Sequence, residues 1–242
     1  LMYFIEPLIY SYLRSDIILY LHETQTLFDD YLNSNYIKGK ILKSIIIKNR
    51  IACVSNFQMN YLKKTFKAKN LNIVYNNINI NNYSINNDKI NVIMVGYFMK
   101  RKGVNFFSEL ADYCKKFDDK YKFIWVGNGP KNNLYFSNNV DWIGEHPYPR
   151  NIINQCDIFL LSSYDDPFPL VCLEALSLFK KVIVYKGTGT EEILNDVLGC
   201  GVYNKYTIQS AYEILKKVNK ENLNKNIISD LIKNYCDINK FG

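Results

Sequence analysis

Residues 162–176 read SSYDDPFPLVCLEAL and directly follow the apolar run DIFLL, residues 157–161. Such a short, nearly continuous apolar run is typical of a parallel strand that is buried on both faces of its sheet. Pro169 suits the first turn of a helix, because that position needs no amide hydrogen bond. The stretch therefore predicts a strand, a loop and a helix, with Asp166 in the loop and Glu174 inside the helix.

The same alternation of short β-branched runs and helical patterns continues along most of the chain. Helical spacing occurs at 106–117 and 170–179, and Ser55 is a suitable N-cap for a helix over 56–66. This rhythm predicts an α/β fold of parallel strands joined by crossover helices. The candidate strands are 17–21, 51–54, 72–74, 92–96, 123–127, 158–161 and 182–185.

The rhythm breaks at residues 76–87, NNININNYSINN, which are polar and free of charge. We predict an interdomain linker there, although an irregular surface loop has the same composition. The chain downstream suffices for one complete α/β domain, whereas the roughly eighty residues upstream suffice for about half of one. Because the chain begins with Leu1, we expect it to lack its beginning. The predicted parts are an N-terminal domain at 1–80, a C-terminal domain at 81–220 and a tail helix at 221–242.

The composition is that of a globular protein, with 242 residues of which 48% are apolar and 22% charged. Disordered, collagen-like and coiled-coil chains are thereby excluded. The apolar runs are too short to cross a membrane and no signal-peptide pattern is present, so we expect a cytoplasmic chain. Six cysteines lie far apart without a C-x-x-C pair, which favours reduced, mostly buried thiols over a metal site or disulfides.

Positive charge is concentrated in one segment. The net charge is +7, and no acidic residue occurs between Tyr31 and Asn87. Such a segment can meet phosphates, an anionic membrane or nucleic acid, or it can be a solvated face. No nucleic-acid-binding module is recognisable, so we expect no nucleic-acid partner. The basic residues of the segment are Lys38, Lys40, Lys43, Lys48, Arg50, Lys63, Lys64, Lys67 and Lys69.

A second basic stretch joins a predicted strand to a predicted helix. Residues 95–104 read VGYFMKRKGV, in which Gly96 and Gly103 allow tight turns. Lys100, Arg101 and Lys102 would stand beside the free amides of a helix N-terminus, an arrangement that suits an anion. Basic loops of this kind also occur as plain surface.

The two carboxylates of the opening stretch have two interpretations each. Asp166 can cap the helix, and Glu174 can simply face water. Alternatively, Glu174 accepts hydrogen bonds from a vicinal diol while the helix amides hold a phosphate. Hydrogen bonds to a charged group are worth about 1.5–3 kcal/mol each.

Taken together, these segments resemble the retaining GT-B glycosyltransferases of the group 1, family 4 type. That family has an acidic residue, seven intervening residues and a glutamate, a spacing that Asp166 and Glu174 reproduce. Upstream, LYLHET at 19–24 and ACVSNFQMNYL at 52–62 resemble the end of the family's N-terminal domain. Further landmarks occur in the family's order: VGYFMKRKG at 95–103, WVGNGP at 125–130, DWIGE at 141–145, CDIFLLSS at 156–163 and GTGTEEI at 187–193.

The resemblance implies a GT-B fold with a complete C-terminal Rossmann-like domain and an incomplete N-terminal one. Lys102 would neutralise the donor diphosphate, Glu174 would bind the ribose, and backbone near Trp142 would recognise the base. Asp166 would lie near the transferred sugar, and His22 would close on it, although a lone histidine after a strand can also be structural. The implied donor-binding set is Gly96, Lys100, Arg101, Lys102, Trp142, Gly144, Phe168, Pro169, Leu170, Val171 and Glu174, with Asp166 and His22 catalytic.

The implied reaction transfers a sugar, with retention, from a nucleotide-sugar to an acceptor hydroxyl. It needs no metal and no covalent enzyme intermediate. Bacterial surface polysaccharide or lipopolysaccharide synthesis is the implied setting, with a glycan or lipid-linked acceptor. A lipid-linked acceptor would suit the positive segment at 38–69 and peripheral contact with the anionic inner face of the cell membrane.

Three departures keep other interpretations open. Tyr97 replaces a phosphate-binding arginine, Phe179 and Lys181 replace a glycine and a proline, and the family's first strand with its glycine-rich loop is not found. A non-catalytic nucleotide-sugar-binding subunit, completed by a second chain, is therefore one alternative. An epimerase or hydrolase of the same fold is another. A dehydrogenase is disfavoured, because no G-x-G-x-x-G follows a strand.

Overall fold

A computed structural model describes residues 18–21, 24–34, 36–74, 89–130, 134–194 and 197–236. The chain divides into two compact units, Leu1–Asn76 and Asn77–Lys240. The predicted linker at 76–87 and the side chain of His22 lie outside the described residues. The predicted domain limits at 80 and 220 stay predictions.

The N-terminal unit contains a parallel sheet of three strands in the order β1, β2, β3. Ser55 caps α3 as predicted, since its Oγ accepts a hydrogen bond from the amide of Gln58 at 3.1 Å. Phe28, Ile45 and Phe66 lie in its buried core. The elements are β1 (Ile18–Leu21), α1 (Gln25–Ser34), α2 (Tyr36–Lys48), β2 (Arg50–Cys53), α3 (Asn56–Phe66) and β3 (Leu71–Ile73).

The C-terminal unit begins with the elements of the first half of a doubly wound sheet. Strand β4 is buried from Val92 to Met94, and α4 covers the sheet with an apolar stripe that includes Phe107 and Leu110. The elements are β4 (Ile90–Val95), a 3₁₀ turn (Lys100–Lys102), α4 (Val104–Phe117), β5 (Tyr121–Val126), β6 (Val140–Gly144) and α5 (Pro149–Ile153).

The second half of this unit completes a parallel sheet in the order β6, β5, β4, β7, β8, β9. The strand order reverses between β4 and β7, as in Rossmann-like domains, so the α/β prediction is confirmed. The elements are β7 (Ile158–Leu161), α6 (Leu170–Ser177), β8 (Lys181–Tyr185), α7 (Glu191–Leu194), β9 (Gly201–Tyr203), α8 (Ile208–Lys220) and α9 (Lys225–Cys236).

Helix α6 differs in detail from its prediction. Pro169 precedes the first helical residue instead of occupying it, with φ −70° and ψ 124°. The helix ends at Ser177, before the predicted limit at 179, because Phe179 adopts a left-handed conformation with φ 54° that no helix continues.

The tail and the cysteines agree with the sequence in part. Helix α9 lies within the predicted tail and packs against α6. Its packing toward the N-terminal domain stays a prediction. Five cysteines are buried and unpaired: Cys53, Cys114, Cys156, Cys172 and Cys200. Among the described residues, no helix has the length and apolar character needed to cross a bilayer.

Candidate active site

The candidate site lies where the strand order reverses. Because β4 and β7 are parallel neighbours, their carboxyl ends meet at one edge of the sheet. The loop after β4 carries the predicted basic stretch, and the loop after β7 carries Asp166. Open α/β sheets bind ligands in the crevice at such a switch point.

The cationic turn, residues 100–103, follows β4 and Gly96 and ends at Gly103. The amide of Gly96 donates to the Val126 oxygen at 2.9 Å, and the indole of Trp125 donates to the Gly96 oxygen at 3.0 Å. Gly103 ends the turn with φ 71°, and a Cβ there would overlap the carbonyl oxygen of Ser162. A glycine is therefore required where the turn meets the end of β7.

Lys102 and Asp166 form an ion pair between the two loops. Lys102 Nζ lies 2.5 Å from Asp166 Oδ2, and Arg101 Nη1 lies 3.6 Å from the same oxygen. The Asp166 side chain is only 7% exposed and that of Lys102 16%. A carboxylate this deeply buried needs a cationic partner to offset its lost hydration. The structure thus brings together three of the predicted site residues.

Backbone hydrogen bonds hold both loops in this position. The Ser162 hydroxyl donates to the Lys102 carbonyl oxygen at 2.8 Å, and the Tyr164 amide donates to the Arg101 oxygen at 3.1 Å. On the other side, the Gly189 amide donates to the main-chain carbonyl oxygen of Asp166 at 3.0 Å. Hydrogen bonds to the main chain therefore hold both loops that carry the ion pair.

Helix α6 starts four residues after Asp166, at the end of the same loop. Phe168 is buried, whereas Leu170 is 43% exposed at the first helical position. The first-turn amides of a helix, here those of Leu170 and Val171, have no partner within the helix and attract anions. The side chain of the half-buried Glu174 makes no hydrogen bond or ion pair with the described residues. Its carboxylate is thus available to a ligand.

The predicted base-binding residues lie two strands away on β6. The Trp142 indole donates to the Gly127 oxygen at 2.8 Å, and the Gly127 amide donates to the Gly144 oxygen at 2.7 Å. The ring of Trp142 lies 5.4 Å from that of Phe98, and 42% of the residue remains exposed. Trp142 and Gly144 are therefore joined to the end of β5, and no described contact joins them to Lys102.

The other cation of the turn stays apart from the ion pair. Lys100 is exposed and forms no ion pair with the described residues, and Tyr97 is 55% exposed. The described residues contain no group of three or more histidine, cysteine, aspartate or glutamate side chains that could hold a metal ion. Independence from metal stays a prediction.

Sequence reasoning missed the residues that fasten the loops. Ser162 and Gly189 lie within quoted motifs, CDIFLLSS and GTGTEEI, but nothing in the letters indicated which backbone groups they bind. Tyr206, whose hydroxyl donates to the Ser162 oxygen at 2.6 Å, carried no sequence signal at all.

A family model described as "Glycosyl transferases group 1" matches residues 76–233, which include both loops of the site. The chain belongs to this glycosyltransferase family. The resemblance stated from the sequence is thereby confirmed at the level of the family.

Curated relatives carry glycosyltransferase names. One, named an uncharacterized glycosyltransferase of Methanocaldococcus jannaschii, is 27% identical over 220 residues, covering 87% of this chain and 60% of its own length. Another is the N,N'-diacetylbacillosaminyl-diphospho-undecaprenol alpha-1,3-N-acetylgalactosaminyltransferase of Campylobacter jejuni, 28% identical over 71% of this chain and 45% of its own length. The chain therefore spans about half the length of these relatives.

Solved glycosyltransferases share the fold. Anabaena HepE in complex with UDP matches 97% of this chain and 72% of its own with a TM-score of 0.76 at 15% identity. TarM matches 93% of this chain and 47% of its own with a TM-score of 0.69 at 18% identity. The GT-B fold predicted from the sequence is confirmed, and identities this low carry no more than the fold.

Proposed function

We propose that this chain forms the donor-binding side of a retaining glycosyltransferase, which moves a sugar from a nucleotide-sugar to an acceptor hydroxyl. The observation that carries the proposal is the 2.5 Å ion pair of Lys102 and Asp166. It joins the cationic turn to the loop before α6, so a cation, helix amides and a carboxylate meet at the switch point of the sheet.

The leaving group explains why this chemistry needs cations and amides. When the bond from sugar to phosphate breaks, the nucleoside diphosphate gains negative charge. Lys102, Arg101 and the first-turn amides of α6 are fixed before the reaction, so they stabilise that charge without reorganising. Lys102 then shares its ammonium group between the diphosphate and Asp166.

Asp166 has two tasks in this proposal. Its buried carboxylate holds the Lys102 ammonium in place, because two charges in a mostly buried position stabilise each other. It would also lie near the transferred sugar, close to the developing positive charge of the anomeric carbon. Glu174, in the second turn of α6, would accept hydrogen bonds from the two ribose hydroxyls.

The relatives support a nucleotide-sugar donor and a cell-surface acceptor. HepE was solved with UDP, and a TarM variant with UDP and alpha-GlcNAc-glycerol. The name of the Campylobacter relative describes transfer to a sugar on diphospho-undecaprenol, a lipid-linked acceptor. We therefore infer a UDP-sugar donor and a glycan or lipid-linked acceptor in bacterial surface polysaccharide synthesis.

The N-terminal unit supports the inferred membrane contact. All nine basic side chains between Lys38 and Lys69 are exposed, with no acidic residue in the segment. A concentration of cations of this kind attracts anionic lipid, by about 1 kcal/mol for each lysine or arginine near the surface. Lipid-linked acceptors are presented at such a surface.

Calorimetric titration with UDP-, GDP- and dTDP-sugars tests the proposal first. We expect the UDP-sugars to bind, and EDTA to leave binding and transfer unchanged. With a radiolabelled donor and a lipid-linked glycan acceptor, the product should keep the anomeric configuration of the donor, as read from the ¹H coupling constant. Absence of binding by any nucleoside diphosphate would refute the proposal.

One observation favours a second function. Tyr97 occupies the position of a phosphate-binding arginine and is exposed, so the site has one cation fewer than the family pattern. The chain would then be a nucleotide-sugar-binding subunit that needs a second chain for transfer. Binding of UDP without turnover on any acceptor would favour this function. An epimerase or hydrolase would instead alter the donor when no acceptor is present.

A further inference from the structure

Tyr206 lies beside Ser162 and the end of the cationic turn at Gly103. Its hydroxyl donates to the Ser162 carbonyl oxygen at 2.6 Å. Ser162 is fully buried, and its own hydroxyl donates to the Lys102 carbonyl oxygen at 2.8 Å. Two hydrogen bonds therefore link Tyr206 to Ser162 and Ser162 to the main chain of Lys102, whose ammonium group pairs with Asp166.

The ring of Tyr206 is itself held firmly. It stacks on Phe106 in the first turn of α4, with the ring centres 4.2 Å apart and the planes at 27°. Tyr185 and Tyr164 contact it edge-on, at 5.1 and 5.9 Å. Burial raises the pKa of Tyr206, so the hydroxyl keeps its proton and remains a donor. Its position is therefore set by the α4 helix that follows the cationic turn.

Steric contact adds to the hydrogen bond. The hydroxyl of Tyr206 and the carbonyl of Ser162 occupy the space that a Cβ on Gly103 would need. The end of the cationic turn is thus pressed against both groups. If the hydroxyl were removed, the Ser162 carbonyl would lose its partner and a small space would open beside Gly103.

We propose that Tyr206 is a positioning residue for donor binding. Through its contact with Ser162 it fixes the position of the cationic turn, and so places Lys102 for the donor diphosphate. The inference rests on the proposed function, because it assigns Lys102 to a diphosphate. It adds a residue from the loop between β9 and α8, which sequence motifs leave unassigned.

Tyr206→Phe tests the inference, because it removes the hydroxyl and keeps the stacked ring. Loss of one neutral hydrogen bond, worth about 1 kcal/mol, predicts about five-fold weaker binding of UDP and of inorganic pyrophosphate. Binding of uridine, which has no phosphate, should stay unchanged in an NMR titration. A merely structural hydroxyl would change the melting temperature without this difference between phosphate-bearing and phosphate-free ligands.

Tyr203→Phe is the matched control. Tyr203 stacks on the same Phe106 at 5.7 Å and is fully buried, but its hydroxyl has no hydrogen-bond partner among the described residues. This variant should bind UDP like the parent protein and should be no less stable. If Tyr203→Phe lost as much affinity for UDP as Tyr206→Phe, the effect would come from aromatic packing and the inference would be overturned.

Ser162→Ala supplies a second test, should Tyr206→Phe fold poorly. It breaks the next hydrogen bond of the same chain, so it should also weaken UDP more than uridine. In the double variant, the loss should be smaller than the product of the two single losses, because both act on one chain. Unchanged UDP affinity in both single variants would refute the inference. If the parent protein binds neither UDP nor pyrophosphate, the proposed function itself fails.

Discussion

The Nζ atom of Lys102 lies 2.5 Å from Oδ2 of Asp166, so a cation from the loop after β4 and a carboxylate from the loop after β7 form one ion pair. Both side chains are mostly buried, so each charge needs the other to offset its lost hydration. Removing either charge should therefore affect both ligand binding and the stability of the fold, and the two removals should differ in their effects.

Lys102→Ala should weaken binding of UDP by about ten-fold to one hundred-fold. The expected loss is that of one hydrogen bond between an ammonium group and a phosphate, about 1.5–3 kcal/mol. Calorimetric titration measures it. Lys122→Ala is the control, because Lys122 forms an exposed pair with Asp141 at 3.0 Å, and exposed pairs contribute about 0–1 kcal/mol. Equal affinity of the two variants for UDP would show that Lys102 does not contact the donor.

Asp166→Asn should separate binding from transfer. The substitution keeps an oxygen that accepts a hydrogen bond from the Lys102 ammonium, so Lys102 stays in place, and it removes the charge that competes with the diphosphate. UDP should therefore bind as tightly as before or more tightly. Transfer should fall by at least ten-fold, because the carboxylate near the sugar is lost. The measurements are UDP affinity and kcat on the same preparation. A variant that loses affinity for UDP and keeps its kcat would contradict the role given to Asp166.

Gly103→Ala should destabilise the C-terminal unit strongly. Gly103 has φ 71°, and an added Cβ would overlap the Ser162 carbonyl, a main-chain group that cannot move away. We expect a loss of more than about 2 kcal/mol in the free energy of unfolding, measured with urea. Gly144→Ala is the control, since Gly144 has a similar φ of 83° and no atom of the described residues lies near its missing Cβ. This variant should lose about 1 kcal/mol.

Co-sedimentation with lipid vesicles tests the membrane contact of the N-terminal unit. The protein should bind vesicles that contain phosphatidylglycerol at low salt, and about 0.5 M salt should release it, because salt screens exposed charges. Neutral phosphatidylcholine vesicles are the control. The exposed lysines of α3 and its C-terminus, Lys63, Lys64, Lys67 and Lys69, should together account for part of the binding. Binding that is equal on neutral and anionic vesicles would refute a contact through these cations.

Much of the site was predictable because it depends on groups that follow strands. Buried runs such as Ile158–Leu161 leave a clear signal, and parallel strands place the loops that follow them at one edge. The helical spacing at 170–179 then predicted the start of α6 at Leu170, and the helix ends at Ser177, before the predicted limit. The earlier end of the helix was not predictable, because a phenylalanine seldom adopts the left-handed conformation that Phe179 shows at φ 54°.

Other elements left too little signal. Strand β9 has only three residues, and β6 is exposed at Asp141, Trp142 and Ile143, so neither gives a buried apolar run. Helices α1 and α2 also went unpredicted, since the isoleucines of α2 occur on several of its sides. The ion pair and the contact of Tyr206 with Ser162 join residues more than forty positions apart. Only the fold brings such residues together.

A crystal structure of the protein with UDP bound tests the central claim most directly. The diphosphate should lie within hydrogen-bonding distance of Lys102 Nζ and of the amides of Leu170 and Val171, with the ribose at Glu174. A diphosphate bound elsewhere on the protein, with the Lys102 and Asp166 pair intact and remote from it, would contradict the assignment of this crevice to the donor.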